Sequence, residues 1–210
     1  MNEIHNIWYI KSIVNRIKEI KPDFVLIGWD IVDSAKSRYV SAFQPFNELN
    51  IPVFATLGNH DHMWDSETMP KIFETTNIVP LRNKWIEINW LQIVWIDDKT
   101  YRSGKKLTEI LQESSIKDNW LFTILVSHQP QNLKKLEWFP IDLELAGHTH
   151  HGQFIPLSWI IGAFNDYVYW AYHLWEKMAF VSQWIWTRWA PIRIWTQSEL
   201  VLISLTKSLK

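Results

Sequence analysis

"KPDFVLIGWDIVD", residues 21–33, decides the fold. An unbroken apolar run from Phe24 to Ile27 reaches Gly28 and then opens onto Asp30 and Asp33. A run that short and without alternation is the mark of a parallel strand buried on both faces. Ahead of it, "YIKSIVNRIKEI" (9–20) places Ile10, Ile13, Val14, Ile17 and Ile20 at helical spacing with lysines and Arg16 opposite, and Pro22 ends that helix. Beyond it, a second helix is expected over 35–49, followed by another buried strand in "PVFATLG" (52–58). Further strands are expected at 91–97, 121–127, 142–146, 178–182 and 199–205, with helical stretches near 67–77 and 104–117. Strand and helix alternate early, and the last quarter is mostly strands and loops. The class is therefore an α/β sandwich of layered sheets. No repeat, low-complexity tract or linker divides the chain, so residues 1–210 form a single domain.

Composition narrows the chemistry. With 21 basic and 22 acidic residues the net charge is -1, so no global field draws the chain to nucleic acid, and no nucleic-acid partner is expected. There is no cysteine, which leaves only nitrogen and oxygen ligands for any metal. No apolar run is long enough to span a bilayer and no signal-peptide pattern opens the chain, so a soluble, cytoplasmic protein is expected.

Four polar tips share one placement. "GWDIVD" (28–33), "GNHD" (58–61), "SHQP" (127–130) and "GHTH" (147–150) each follow directly on an apolar strand. Ligands gather beyond the carboxyl ends of strands in open α/β sheets, so these tips should converge in one cleft. The set Asp30, Asn59, His60, His128, His148 and His150 supplies carboxylate, amide and imidazole, a ligand chemistry suited to Mn, Fe or Zn. A carboxylate such as Asp30 can bridge two ions about 3.5 to 4 Å apart, and such a pair clamps a phosphoryl group during in-line displacement. Each tip alone is a weak signal, more often a cap or turn; four in this order are not.

With these motifs in place, the chain resembles the calcineurin-like metallophosphoesterase superfamily, whose pattern runs DxH, GDxxD, GNH(D/E), a lone His and GHxH. The likeness extends through "LRNKWIEINWLQIVWIDD" (81–98) and "GHTHHGQFIPL" (147–157) to a bacterial branch of membrane-associated phosphoesterases and UDP-diacylglucosamine hydrolases of lipid A synthesis. The resemblance implies a four-layer α/β/β/α sandwich and two divalent metal ions (Mn, Fe or Zn). Asp30 would bridge them, Asn59, His128 and His148 would complete one site, and His150 would belong to the other. His60, held by Asp61, would serve the leaving group. The implied activity is hydrolysis of phosphoester or pyrophosphate bonds of a small-molecule or lipid-linked substrate, with peripheral contact at the inner face of the cytoplasmic membrane. Gln153 and Arg188 are candidates for contact with the substrate phosphate; Arg193 is a further cation in the late loop region.

Two departures from the family pattern stand out. DxH is absent: only Glu3 and His5 look similar, and no apolar strand precedes them. A domain truncated at its amino terminus and lacking its first strand is the expectation, with a catalytically silent metal-binding or scaffolding relative as the alternative. The second departure is tryptophan, with 15 Trp against 6 Gly in 210 residues, where about 7% Gly is ordinary. The resemblance puts glycine at positions 29, 184, 186, 189 and 195, and further at 85, 90, 95, 138 and 170. A codon that means glycine in the source organism, UGA, read here as tryptophan would explain the excess. A real aromatic stripe in "WIWTRWAPIRIW" (184–195), binding sugar or a membrane interface, is the alternative. Among the remaining polar residues, His62 and His151 are read as bystanders, and Asp97 and Asp98 as caps of the following turn.

Overall fold

The computed structural model describes residues 7–28, 30–31, 38–64, 68–98, 105–114, 116–117, 120–154, 156–185 and 193–207. Helix α1 (Ile7–Ile20) buries Ile10, Ile13, Val14 and Ile17, the stripe its spacing predicts. It ends at Lys21, which takes φ 53° and donates its N–H to the Ile17 carbonyl, before Pro22. Strands β1 (Val25–Gly28), β2 (Val53–Thr56) and β3 (Ile78–Pro80) form a parallel sheet in that order, with Val25 opposite Val53 and Val53 opposite Ile78. The second expected helix is shorter than its pattern. Helix α2 (Arg38–Phe43) gives way to a 3-10 turn over Gln44–Glu48, because Pro45 brings no N–H to continue the ladder.

The second sheet has six strands, in the order β4-β5-β6-β7-β9-β8. They are β4 (Trp85–Ile88), β5 (Leu91–Ile96), β6 (Phe122–Ser127), β7 (Leu143–Ala146), β8 (Trp170–Leu174) and β9 (Lys177–Val181). Strands β5, β6, β7 and β9 run parallel, and the hairpin partners β4 and β8 close the edges antiparallel. Alternation on these strands separates two cores. Leu91, Ile93, Trp95, Ile124 and Val126 face the first sheet, meeting Leu26 and Phe54. Val94, Ile96 and Leu125 point the other way, onto α5 (Leu107–Glu113) through Leu107, Ile110 and Leu111. On the far side of the first sheet, α1, α2 and α4 (Thr68–Thr75) pack Phe43, Phe46, Met69 and Ile72 against Val53 and Ala55. The helices α3 (Asn59–Trp64) and α6 (Leu157–Phe164) leave the strand tips. Helix, sheet, sheet, helix is the layering the sequence led us to expect. Ile93, fully buried between the sheets, should lose about 0.5–1.5 kcal/mol of stability as Ile93→Val, read as a lower denaturant midpoint at unchanged slope.

One expected strand does not form. Residues 199–205 carry no strand pairing, and Leu200 to Ile203 are exposed. They lie along an apolar cavity of about 610 Å³ that also touches α1, β1, Leu91, Ile124 and Val126. β1 forms an edge of its sheet, and residues 199–205 do not pair with it.

Candidate metal centre

Four strand ends, those of β1, β2, β6 and β7, deliver the site. After β1 the chain turns through Asp30, buried and at φ 49°. Asp30 Oδ1 accepts the N–H of His60 at 2.9 Å, which ties the first tip to the second. Gly58 makes that approach possible: a Cβ there would run into the Asp30 carboxylate and lie 2.7 Å from its backbone nitrogen. Asp61, fully buried, turns back to accept the Gly58 N–H at 2.9 Å, the reciprocal half of a helix cap at the start of α3.

The third tip supplies the centre. His128 follows directly on β6, and its Nε2 lies 2.8 Å from Asn59 Oδ1, 2.8 Å from His148 Nδ1 and 3.7 Å from Asp30 Oδ2. One ring nitrogen carries at most one proton, so it cannot donate to all three neighbours. Such an excess of lone pairs at one buried point favours a divalent cation, and the oxygen and nitrogen donors fit Mn, Fe or Zn. Among the described residues no three His, Asp or Glu side chains are spaced around a common centre. Here the donors close on one another instead, and the converging chemistry rather than the spacing carries the assignment.

Behind β7 the turn is unusual. His148, His150, His151 and Gln153 all hold φ between 49° and 67°, with Gly152 at 68° among them. This winding turns His148 onto His128, with ring centres 4.6 Å apart, while His150 packs on Trp184 at 4.2 Å. Trp184 also lies 5.6 Å from His128. The expected set therefore divides: Asp30, Asn59, His128 and His148 meet directly, and the His150 ring faces an indole.

Further polar residues surround these donors. Asp97 pairs with His62 Nε2 and lies 3.6 Å from Arg82 Nε, while its N–H donates to Asn83 Oδ1; the turn that Asp97 and Asp98 were expected to cap lies outside the described residues. Asp98 accepts from Gln129 Nε2 at 2.9 Å, beside His128. His62 is thus held by Asp97. The sequence signal for this was the strand-end position of Asp97, the same signal that found the four tips. His151 does stand aside, stacked on Tyr169. Gln153 is buried, and its carbonyl accepts from Ile194 N–H and Thr196 Oγ1, so it anchors the late loop. Arg193 turns inward to the carbonyls of Gln183 and Trp184. Burial holds its guanidinium below the usual arginine range. Arg188, Asp33, Glu3, His5, Trp29, Trp186 and Trp189 lie outside the described residues.

One support escaped sequence reading. Glu144, on β7, is fully buried, and its Oε1 accepts from Ser127 Oγ and Gln131 N–H, each at 2.7 Å. These bonds bracket His128, and burial raises the carboxyl pKa to about 8. An inward Glu on an apolar strand gave no motif to recognise.

A two-sheet α/β sandwich that gathers carboxylate, amide and imidazole beyond its strand ends belongs to the class built around a divalent-metal centre. Comparison with known proteins makes this specific. The calcineurin-like phosphoesterase family matches residues 2–152, and the chain belongs to that family. An uncharacterized metallophosphoesterase of Helicobacter pylori is 28% identical over 202 residues, covering 94% of this chain and 55% of the relative. A transmembrane protein with metallophosphoesterase domain from Danio rerio is 30% identical, over 95% of this chain and 49% of its own length. An uncharacterized metallophosphoesterase of Aquifex aeolicus is 32% identical over 67% of this chain and 56% of its own. The chain spans about half the length of these relatives. No solved structure matches it. Among the described residues, no helix is long and apolar enough to cross a membrane.

Proposed function

We propose that this domain is a binuclear metal-dependent hydrolase of phosphoester or pyrophosphate bonds. The observation that carries the reading is the convergence of Asn59 Oδ1, His148 Nδ1 and Asp30 Oδ2 on His128 Nε2. When bound, divalent cations of the Mn, Fe or Zn type would polarise the phosphoryl oxygens and lower the pKa of the attacking water. Asn59, His128, His148 and Asp30 would hold one cation, and Asp30 with His150 would contribute to holding the second. His60 is partly exposed at the start of α3, and its backbone is fixed by Asp30. We assign it as the proton donor, with Asp61 securing the turn that carries it; Gln153 and Arg188 are assigned to the substrate phosphate.

A lipid-linked substrate such as UDP-diacylglucosamine, met at the inner face of the cytoplasmic membrane, is the finer form of this reading. It is supported by α6, whose Trp159, Ile160 and Phe164 are exposed next to the histidine-rich turn. A catalytically silent relative is the rival, favoured by the packing of Trp184 on His150.

Metal counting and hydrolysis together separate the two. The hydrolase should retain two Mn²⁺ per chain, cleave an aryl phosphodiester, and lose activity in chelator with recovery on adding Mn²⁺. One ion or none, without turnover, would establish the silent relative. Within the active form, His60→Gln should lower kcat by about 10²-fold while leaving bound metal unchanged.

A further inference from the structure

Four tryptophans, Trp170, Trp175, Trp184 and Trp195, have φ of 78°, 55°, 76° and 65°. In that region an L residue sets its Cβ against the following carbonyl, which is why glycine dominates there and a bulky side chain is a genuine outlier. Elsewhere much of the chain keeps to the usual substitutes, as at Asp30, Asn83 and Asn89. Tryptophan nevertheless accounts for four of the twelve non-glycine residues with positive φ among those described, while Gly152 is the one glycine with positive φ there.

Turn chemistry gives the same answer independently. The β8–β9 hairpin closes with Leu174 opposite Lys177, leaving the two-residue loop Trp175-Glu176. Positive φ at the first position and not the second matches a type II′ turn, whose first central residue is glycine. The β4–β5 hairpin, closed with Ile88 opposite Leu91 around Asn89-Trp90, has positive φ at Asn89 alone and so calls for no glycine at 90.

Residue 184 connects this pattern to the metal centre. Its backbone is held from three directions: its N–H donates to Ser182 Oγ at 3.0 Å, and its carbonyl accepts from Arg193 Nη2 at 3.3 Å and Glu199 N–H at 3.2 Å. The conformation is thus fixed by the surroundings. The indole is what does not fit. It is buried between His150 and His128, its Nε1 has no hydrogen-bond partner, and it fills the place a Cβ on Gly147 would take. A buried N–H without an acceptor is costly, and here the burial is against the ligand side chains themselves. Trp195 is 80% exposed, and Trp170 and Trp175 are also exposed, so no gain from burial offsets their backbone cost. Trp95, buried against Phe54 in β5, carries no such signal.

We infer that residues 170, 175, 184 and 195 are glycine in the protein its organism makes, from a codon read there as glycine, and that glycine at 184 opens the faces of His128 and His150 to ligand. UGA, one base from both the tryptophan codon UGG and the glycine codon GGA, fits this double reading. The assignment of glycine stands on backbone and turn geometry; only its consequence at the histidines rests on the proposed metal centre.

Two measurements test it. Peptide mass spectrometry of the protein purified from its source cells should show glycine at all four positions, and tryptophan at 184 would overturn the inference. Mn²⁺ titration of the recombinant chain by calorimetry should show Trp184→Gly binding roughly 10- to 100-fold more tightly than the tryptophan form, the range by which groups around metal ligands tune affinity. Trp195→Gly, at an exposed position, serves as the control and leaves affinity unchanged. Glycine in the native peptide with unaltered Mn²⁺ affinity of Trp184→Gly would keep the codon reading and overturn the opening of the site. Should Trp184→Gly not fold alone, the fourfold variant with glycine at 170, 175, 184 and 195 supplies the same comparison.

Discussion

Replacing His128 by alanine is expected to lower kcat/KM for Mn²⁺-dependent cleavage of an aryl phosphodiester by about 10³-fold or more, since the cations contribute several kcal/mol to the transition state. His128 is the residue to choose because its Nε2 is the point that Asn59, His148 and Asp30 share, at 2.8, 2.8 and 3.7 Å. Losing that nitrogen leaves the amide oxygen and carboxylate facing a void and lowers metal retention as well as rate. Retained Mn²⁺, read by elemental analysis after dialysis, should fall in parallel with activity. His151→Ala is the contrast: its ring is stacked on Tyr169 away from the centre, and its rate should stay near that of the parent. A His128→Ala protein with full activity would remove the centre from the reaction.

Glu144 should dominate the pH dependence of stability. Its carboxyl is fully buried between Ser127 and Gln131, Oε2 has no hydrogen-bond partner, and desolvation raises its pKa from 4.5 to about 8. The folded state therefore keeps a proton that the unfolded chain gives up near pH 4.5. Between pH 4.5 and 8 the folded form binds one proton more, so stability is full below about 4.5 and falls by roughly 1.4 kcal/mol per pH unit until pH 8. Glu144→Gln retains an acceptor for Ser127 Oγ and Gln131 N–H but cannot ionise. Denaturant midpoints at pH 5, 6.5 and 8 should fall steeply for the parent and much less for the variant, with the largest gap at pH 8. Parallel curves would mean that Glu144 is already ionised in the fold. Because Glu144 brackets His128 through these two bonds, the same ionisation should loosen the metal centre at alkaline pH.

Much of this was legible because short apolar runs and their polar ends are local facts. Val25–Gly28, Val53–Thr56, Leu91–Ile96, Phe122–Ser127 and Leu143–Ala146 are strands for the reason their composition predicts: continuous apolar runs need cover on both faces. The hairpin strands β4 and β8 were harder to see. The β8–β9 turn carries tryptophan at 175, where its geometry calls for glycine, so the punctuation that marks that hairpin was missing. Residues 199–205 misled in the opposite direction, since an apolar run announces burial but not a pairing partner.

By itself the sequence determined the layered α/β class, the four strand-end tips and the donor chemistry, because residue type and spacing are enough to specify burial and ligand hardness. Tertiary structure decided which donors meet. His128 joins Asn59 and His148 from 69 and 20 residues away, Asp97 meets His62, and Trp184 reaches the histidines. Such meetings depend on strand order and on the left-handed winding of residues 148–153, and sheet order and backbone handedness are set by the whole fold, beyond the reach of any local pattern.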